Sequence, residues 1–289
     1  MHTQPAEILV RLARILPLVL ITCGVFISVF MSSCGPSQER QEVLVHFSGH
    51  SENNTQTINH DVFNEILRTY VQPDRDGISR FAYGEIAPAD RETLRTYIFN
   101  QMVLIPIAQY SRNEQLAYWI NLYNALTLQL VLDHYPVRSL EDINISPGLF
   151  QKGPFYKKLL KVDDIALSLD DIRNGILLPV FKDARIHYAL TLASLDSPNL
   201  LPRSFTAATA DALLDQAAIS FINHPRALHF EEDHLVANAL FLWYRDDFGS
   251  GGEFINHLLR YANFDLAKYL IENPPVGQYH FDWTINAID

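Results

Sequence analysis

The side chains best placed to do covalent chemistry lie between residues 185 and 198. His187 falls in the apolar run 185–192, and Ser194, Asp196 and Ser197 follow it closely. A serine hydroxyl becomes a nucleophile when a histidine accepts its proton and an acid orients the imidazole. Ser194 or Ser197 with His187 would supply that chemistry only if the fold brings hydroxyl and imidazole within hydrogen-bond reach. The alternatives are a core histidine bonded to one backbone group, and hydroxyls that serve a turn.

Four other residues are candidates for lining a ligand cleft. Asn121 and Asn124 share one face of an otherwise apolar helical pattern. Buried amides need partners, so these two are expected to fasten neighbouring backbone, with a functional cleft as the second interpretation. Trp243, in the pair with Tyr244, and the nearby Asp247 complete the set. Aromatic pairs pack in cores but also line clefts.

Few residues of the chain could act as thiol nucleophiles or metal ligands. Cys23 and Cys34 are the only cysteines, so cleavage before Cys34 would leave a folded part without a thiol. That would exclude disulfides, zinc–thiolate sites and cysteine nucleophiles. His46 and His50 have helical ligand spacing, but they lie in a polar segment without a supporting acid. The remaining regularly spaced histidines form no recognisable ligand set: His224, His229 and His234. We therefore predict no metal site and no cofactor.

The N-terminus has the features of a bacterial lipoprotein signal. Arg11 and Arg14 precede the apolar stretch 15–31, and two serines come directly before Cys34. A basic region, an apolar region and small residues form a secretory signal, and small residues before a cysteine resemble a lipobox, although Met31 replaces its usual leucine. An uncleaved anchor is the alternative, because the apolar stretch could just span a bilayer. Either interpretation predicts an extracytoplasmic chain bound to the lipid bilayer, through Cys34 if it is lipidated.

Composition and net charge limit the classes of binding partner that the chain can have. The 289 residues include 48% hydrophobic and 19% charged residues, which is typical of a globular protein. There are 22 basic and 33 acidic residues, a net charge of −11. A nucleic-acid partner is excluded on this ground, since phosphate binding needs a positive field. An envelope ligand or protein of unknown identity is the remaining partner, and the glycine after Cys34 favours the outer membrane over the periplasmic face of the inner one.

The elements that must position these residues are mostly helices. Ser111 and Glu114 form a capping box that begins a long apolar helix, 116–132, with Trp119 in its middle. We predict an α+β fold, a predominantly helical single domain with a small β-sheet or hairpins. The predicted organisation is a signal peptide at 1–33, a polar tether at 34–60 and the domain at 61–289. Further helices are predicted at 61–70, 89–102, 168–178, 206–223, 237–244, 252–262 and 265–271, a strand at 77–83, a hairpin at 228–236 and a last strand at 279–285.

Several motifs in order resemble the family catalogued as domain of unknown function 547, over residues 62–286. They are the helix motif at 116–128, Tyr-Pro-Val at 135–137, Ser-Leu-Asp-Asp-Ile at 168–172, Arg-Ile-His-Tyr-Ala-Leu at 185–190, Trp243-Tyr244 with Asp247-Phe248, and Asp282-Trp283 with Asn286. The resemblance implies a polar site built from three of these motifs, but it implies no reaction, because the family has none established.

The chain departs from the family pattern at that site. The resemblance places Glu-His after Ser-Leu-Asp-Asp-Ile, and two cysteines after the His187 motif. Here these positions hold Arg173 and Asn174, and Leu192 and Ser197. Leucine has no lone pair with which to attack a substrate or bind a metal, so Leu192 cannot replace a thiol nucleophile.

Three functions are compatible with this pattern. The first is a lipid-anchored, non-catalytic binding or envelope-associated module, favoured by the loss of the family's thiol. The second is a hydrolase or acyltransferase that uses Ser194 or Ser197 with His187. The third is a metal-assisted enzyme with His187 as a ligand, which the missing Glu-His pair disfavours.

Overall fold

The computed structural model describes residues 38–148, 153–231, 234–272 and 275–288. The chain divides into two units, Met1–Glu39 and Arg40–Asp289, and we describe the second by itself. The predicted signal peptide and Cys34 lie outside the described residues. Within the described ranges, no helix combines the length and the hydropathy that a membrane crossing needs.

The predicted α+β class is confirmed, because helices dominate and the strands form three small sheets. Within the described ranges the α-helices are α1 Gln38–Phe47, α2 Asp61–Tyr70, α3 Pro88–Thr96, α4 Arg112–His134, α5 Leu178–Phe181, α6 Ile186–Ala189, α7 Ala210–Ile222, α8 Ala239–Trp243, α9 Arg245–Phe248, α10 Gly252–Leu259 and α11 Phe264–Leu270. π-Helical segments occur at Tyr97–Gln101 and Asp171–Leu177, and 3₁₀ turns at Met102–Leu104, Ile107–Gln109 and Leu140–Asp142.

The strands form hairpins and one three-stranded sheet. The strands are β1 Val71–Pro73, β2 Ser79–Phe81, β3 Leu160–Val162, β4 Ile165–Leu167, β5 Leu228–Glu231, β6 His234–Asn238 and β7 Val276–His280. Antiparallel pairs join β1 to β2, β3 to β4 and β5 to β6, while β7 pairs with β6 in parallel. The predicted hairpin at 228–236 is therefore confirmed, and the predicted last strand lies a few residues earlier than expected.

Helix α4 is the central element, as its all-round apolar sequence predicts. Trp119 is fully buried and packs edge-on against Phe47 and Tyr118, with ring centroids 5.0 and 4.8 Å away. The predicted cap is half formed. The Ser111 hydroxyl accepts from the Glu114 N–H at 3.4 Å, but the Glu114 carboxylate accepts from the Ile58 N–H at 3.0 Å instead of closing the box.

Two expectations about element ends are wrong. Residues 38–47 form α1, whose Val43 and Phe47 are buried in the core, so this part of the predicted tether is folded. The helix after Ser168 does not end before Pro179 but continues to Phe181. The π-helical segment at 171–177 explains this, because its wider turn precedes the proline and relieves the clash of the ring with the preceding turn.

The described residues of this unit form two hydrophobic clusters, and α6 contributes to both. Ile186 and Ala189 pack in the larger cluster around α4, whereas Tyr188 packs in the cluster formed by α7 to α11. His187 lies between them on the same helix. The fold therefore carries this histidine to the junction of the two clusters.

Candidate functional site

A groove of about 360 Å³ opens beside α6 and is lined by three of the four positions at which the chain departs from the family pattern. Arg173, Asn174 and Leu192, which occupy the Glu-His and first thiol positions, all line it. Its aromatic lining consists of Tyr123, Phe155, Tyr156, Trp243, Tyr244 and Trp283, and its remaining lining of Glu141, Leu169 and Asp170.

The π-helical segment at 171–177 presents Arg173 and Asn174 to this groove. Ser168 and Asp171 start it with a reciprocal cap: the Ser168 hydroxyl accepts from the Asp171 N–H at 3.1 Å, and the Asp171 carboxylate accepts from the Ser168 N–H at 2.7 Å. Asp170 accepts from Asn174 at 2.6 Å and from Arg40 at 2.7 Å, so its charge is compensated. Wide π turns often occur at functional sites, and here one aims a cation at the groove.

Arg173 is a buried cation, only 3% exposed, without a carboxylate contact among the described residues. Its Nη2 donates to His187 Nδ1 at 3.1 Å, and its Cζ lies 4.3 Å from the centroid of the Tyr244 ring. Its Nε is buried and has no hydrogen-bond partner in the described structure. A guanidinium stays protonated in proteins, so a positive charge lies at the groove without a direct anionic contact.

The tautomer of His187 follows from its neighbours. Arginine can only donate, so Nδ1 must accept, and the proton of the neutral ring is on Nε2. Nε2 then donates to Asp247 Oδ2 at 2.9 Å. Burial lowers the pKa of His187 to about 4; the hydrogen bond to Asp247 opposes this shift and the Arg173 charge adds to it. The imidazole is therefore neutral near pH 7 and holds Arg173 in place.

Helices α8 and α9 supply the other side of the site. The Asn238 side chain caps α8 by accepting from the Leu240 N–H at 2.9 Å, and α8 ends at Trp243. The short helix α9, which was not predicted from sequence, turns Asp247 back onto His187. The Tyr244 ring stacks at a tilt on the His187 ring, with centroids 4.2 Å apart.

Trp243 is not core packing but an exposed wall of the groove. It is 44% exposed, and its ring lies 5.5 Å from the Trp283 ring with the planes only 25° apart. Backbone bridges from residues 284 and 285 to Ser139 and Ser194 hold the segment that carries Trp283. The segment that carries Trp283 is thus attached to two other parts of the backbone.

The structure does not bring the predicted serines to His187. Both ring nitrogens of His187 are occupied by Arg173 and Asp247. The Ser197 hydroxyl accepts from the Leu192 N–H at 2.7 Å and donates to the Pro198 carbonyl at 3.2 Å. Ser194 Oγ is buried without a hydrogen-bond partner in the described structure. Asp196 accepts from His280 and from the Asp282 N–H, so it orients neither serine.

Asn121 and Asn124 do not line the groove. The Asn121 amide donates to the Phe205 carbonyl at 2.8 Å and accepts from the N–H of the same residue at 2.9 Å. Asn124 likewise donates to the Ala189 carbonyl and accepts from the Thr191 N–H. The interpretation that they fasten neighbouring backbone is confirmed, because a buried amide finds both of its partners there.

A second cavity of about 690 Å³ adjoins the groove. The two share Asn174, Trp243 and Tyr244, and the second is also lined by Asp246 and Asp247. In the described ranges no three histidine, cysteine or acidic side chains converge as a metal ligand set.

Comparison with protein families gives one match, over residues 107–222, to the model described as Protein of unknown function, DUF547. Residues 107–222 belong to this family. No curated protein and no solved structure matches the chain. The DUF547 match includes Arg173, Asn174, His187 and Leu192 but ends before Trp243.

From sequence, positions 173 and 174 were recognisable only as a missing Glu-His pair. Both residues are nevertheless polar, and Arg173 retains a charge at the site. That retained polarity was the available signal. The contact of Asp247 with His187 could not be predicted in this way. The motif around Trp243 was the one sequence feature near Asp247, and it lies outside the DUF547 match.

Proposed function

We propose that this chain is an envelope-tethered, non-catalytic binding protein whose groove takes a ligand with a carboxylate or phosphate group. In this role the chain is anchored through lipidated Cys34, either on the outer face of the cytoplasmic membrane or at the outer membrane. The observation that carries the binding role is Arg173, a buried guanidinium at the groove with no direct carboxylate contact in the described structure. A bound anion would supply that contact, and charge-assisted bonds to a guanidinium are strong and often bidentate.

A comparison with Arg226 shows what distinguishes Arg173. Arg226 is 7% exposed and also has an unpartnered Nε. Its terminal nitrogens, however, donate to the Leu195 carbonyl at 3.0 Å and to Asn199 Oδ1 at 2.7 Å. It does not line the groove. Arg226 therefore fastens loops, whereas Arg173 faces a space that a ligand can enter.

The geometry supports binding rather than covalent catalysis. A general base must offer a nitrogen to the proton it removes, and both nitrogens of His187 are engaged with Arg173 and Asp247. Leu192, at the thiol position, is apolar and buried. A fluorophosphonate probe, which labels activated serines, should therefore leave Ser194 and Ser197 unlabelled. Stoichiometric labelling of either serine that His187→Gln abolishes would support the hydrolase instead.

The binding role is tested by calorimetric titration of the full-length protein in detergent with lactate and with inorganic phosphate. Arg173→Gln should reduce the affinity for both anions at least tenfold, on the order of the strength of a charge-assisted bond. Arg226→Gln, a second buried arginine, should leave that affinity unchanged. Equal affinities of wild type and Arg173→Gln would overturn the proposal.

A second variant keeps the test decisive if Arg173→Gln does not fold. Glu141→Gln removes a negative charge from the groove lining while keeping a side chain of nearly the same size. Its affinity for both anions should rise about twofold to threefold, because a like charge nearby opposes anion binding. An unchanged or lower affinity would contradict an anion site at Arg173.

A further inference from the structure

We propose that the ligand is an acidic sugar, whose ring stacks on the exposed Trp243 while its carboxylate binds Arg173. This inference rests on the proposed binding function and adds the class of ligand. It comes from the combination, in one groove, of a single buried cation with an aromatic lining in which Trp243 and Tyr156 are exposed.

The aromatic wall fits a flat face with polar edges. Trp283 supports the exposed Trp243 by stacking on it, with ring centroids 5.5 Å apart, and Phe155 contacts Trp283 in turn with ring centroids 6.0 Å apart. Tyr156 adds a ring that is 39% exposed. The carbon-bound hydrogens on one face of a pyranose form an apolar patch that stacks on such rings, while the hydroxyls at its edge stay available for hydrogen bonds.

The charges of the groove fit a monoanion that carries many hydroxyl groups. Among the described residues that line it, Arg173 alone is basic, whereas Glu141 and Asp170 are acidic. One cation binds one carboxylate, and carboxylate and amide oxygens accept from hydroxyl donors. A polyanion is disfavoured by the net charge of −11. A phospholipid headgroup would leave the aromatic wall without a partner.

The adjoining cavity offers space into which a longer ligand can extend from the groove. Because Trp243 and Tyr244 border both spaces, a chain of sugars can pass from the groove into the second cavity. Asp246 is almost fully exposed there and can accept from hydroxyl or amide donors of a neighbouring sugar. An oligosaccharide should therefore bind more tightly than its single acidic unit.

The experiment compares matched small molecules on the full-length protein in detergent, by calorimetric titration. N-acetylmuramic acid carries a lactyl carboxylate, N-acetylglucosamine is the same sugar without it, and lactate is the acid without the sugar. The acidic sugar should bind at least tenfold more tightly than either fragment. Glycerol phosphate serves as the probe for a lipid headgroup, and it should bind no better than lactate.

Variants separate this inference from the function on which it rests. Trp243→Ala should weaken binding of the acidic sugar at least tenfold and change lactate affinity less than twofold. Leu242→Ala, equally exposed at 44% on the neighbouring position, should change neither. If lactate binds through Arg173 but the sugar adds no affinity, or if Trp243→Ala has no effect, the inference fails and the binding function stands. Tighter binding of glycerol phosphate than of the acidic sugar would also overturn it. If no anion binds, both fail.

Discussion

His187 joins the two sides of the site. It accepts from Arg173 on the π-helical segment and donates to Asp247 on α9. The neutral ring can make both bonds, but the protonated ring cannot accept from Arg173. The burial that makes His187 a poor acid or base is thus what makes it a good support for a neighbouring cation.

Stability should therefore fall as the solution is acidified below pH 6.5. Burial lowers the pKa values of His187 and His60 to about 4, from 6.5 in the unfolded chain. Between these values the unfolded chain binds more protons, so the free energy of unfolding rises with pH. Each histidine would contribute on the order of 3 kcal/mol that is present above pH 6.5 and lost by about pH 4.

Denaturant unfolding between pH 4 and 7, followed by tryptophan fluorescence, measures this slope. His187→Gln should flatten it, and His60→Gln should do so independently, because the two lie in separate environments. A His187→Gln variant with the same pH dependence as wild type would show that this imidazole is not held neutral by burial.

At the scale of the elements, α4 determines the packing. Trp119→Ala should destabilise the protein by about 3–5 kcal/mol, because it removes a fully buried ring from the larger cluster. Trp243→Ala, which removes the same side chain from an exposed position, should change the free energy of unfolding by less than about 1 kcal/mol. Similar losses from both variants, measured by thermal unfolding, would contradict the arrangement described.

Local sequence predicted the elements with strong patterns and missed those that depend on tertiary contacts. The apolar run of α4 and its two asparagines specify a buried helix that needs backbone partners, and both features are present. Helix α1 buries only Val43 and Phe47. Two buried positions in a mostly polar segment are too few to predict a packed helix from sequence. A π-helical segment does not follow the 3.6-residue hydrophobic period by which helices are predicted. The continuation of the helix through Pro179 could therefore not be predicted.

The site itself was predictable only in part. His187 and the marked positions 173, 174 and 192 were identified from sequence, and three of these four line the groove. The partners of His187 were not, because Arg173 and Asp247 reach it from separate elements. Proximity along the chain suggested Ser194 and Ser197 instead, but the turn around them directs the Ser197 hydroxyl to the backbone.

At the scale of the whole molecule, the proposed anchor lies close in sequence to the first helix of the folded part. Helix α1 begins at Gln38, so few residues separate it from Cys34. Replacement of this cysteine should block lipidation and processing, because the thiol is the atom that would be modified. We expect Cys34→Ala to accumulate as a longer, unlipidated form. Intact mass spectrometry distinguishes the two, and a wild-type mass that begins at Met1 would contradict the lipoprotein assignment.

The two hydrophobic clusters make the groove a feature of the whole unit. Arg173 comes from the side of the larger cluster and Asp247 from the side of α8 and α9, with α6 between them. A ligand that bridged Arg173 and Trp243 would bind the folded form alone. It would raise the thermal midpoint in proportion to the logarithm of its concentration.

The most direct test of the anion site is to locate a bound carboxylate at Arg173. Crystals of the full-length protein soaked in 4-bromobenzoate, whose aryl bromide does not alkylate side chains, should show an anomalous bromine peak in the groove, with the carboxylate about 3 Å from Arg173 Nε or a terminal nitrogen. Crystals of Arg173→Gln should lack that peak and keep any peaks at surface lysines. A wild-type groove without a peak, when the same crystals carry 4-bromobenzoate elsewhere, would contradict the assignment of Arg173 as the ligand-binding cation.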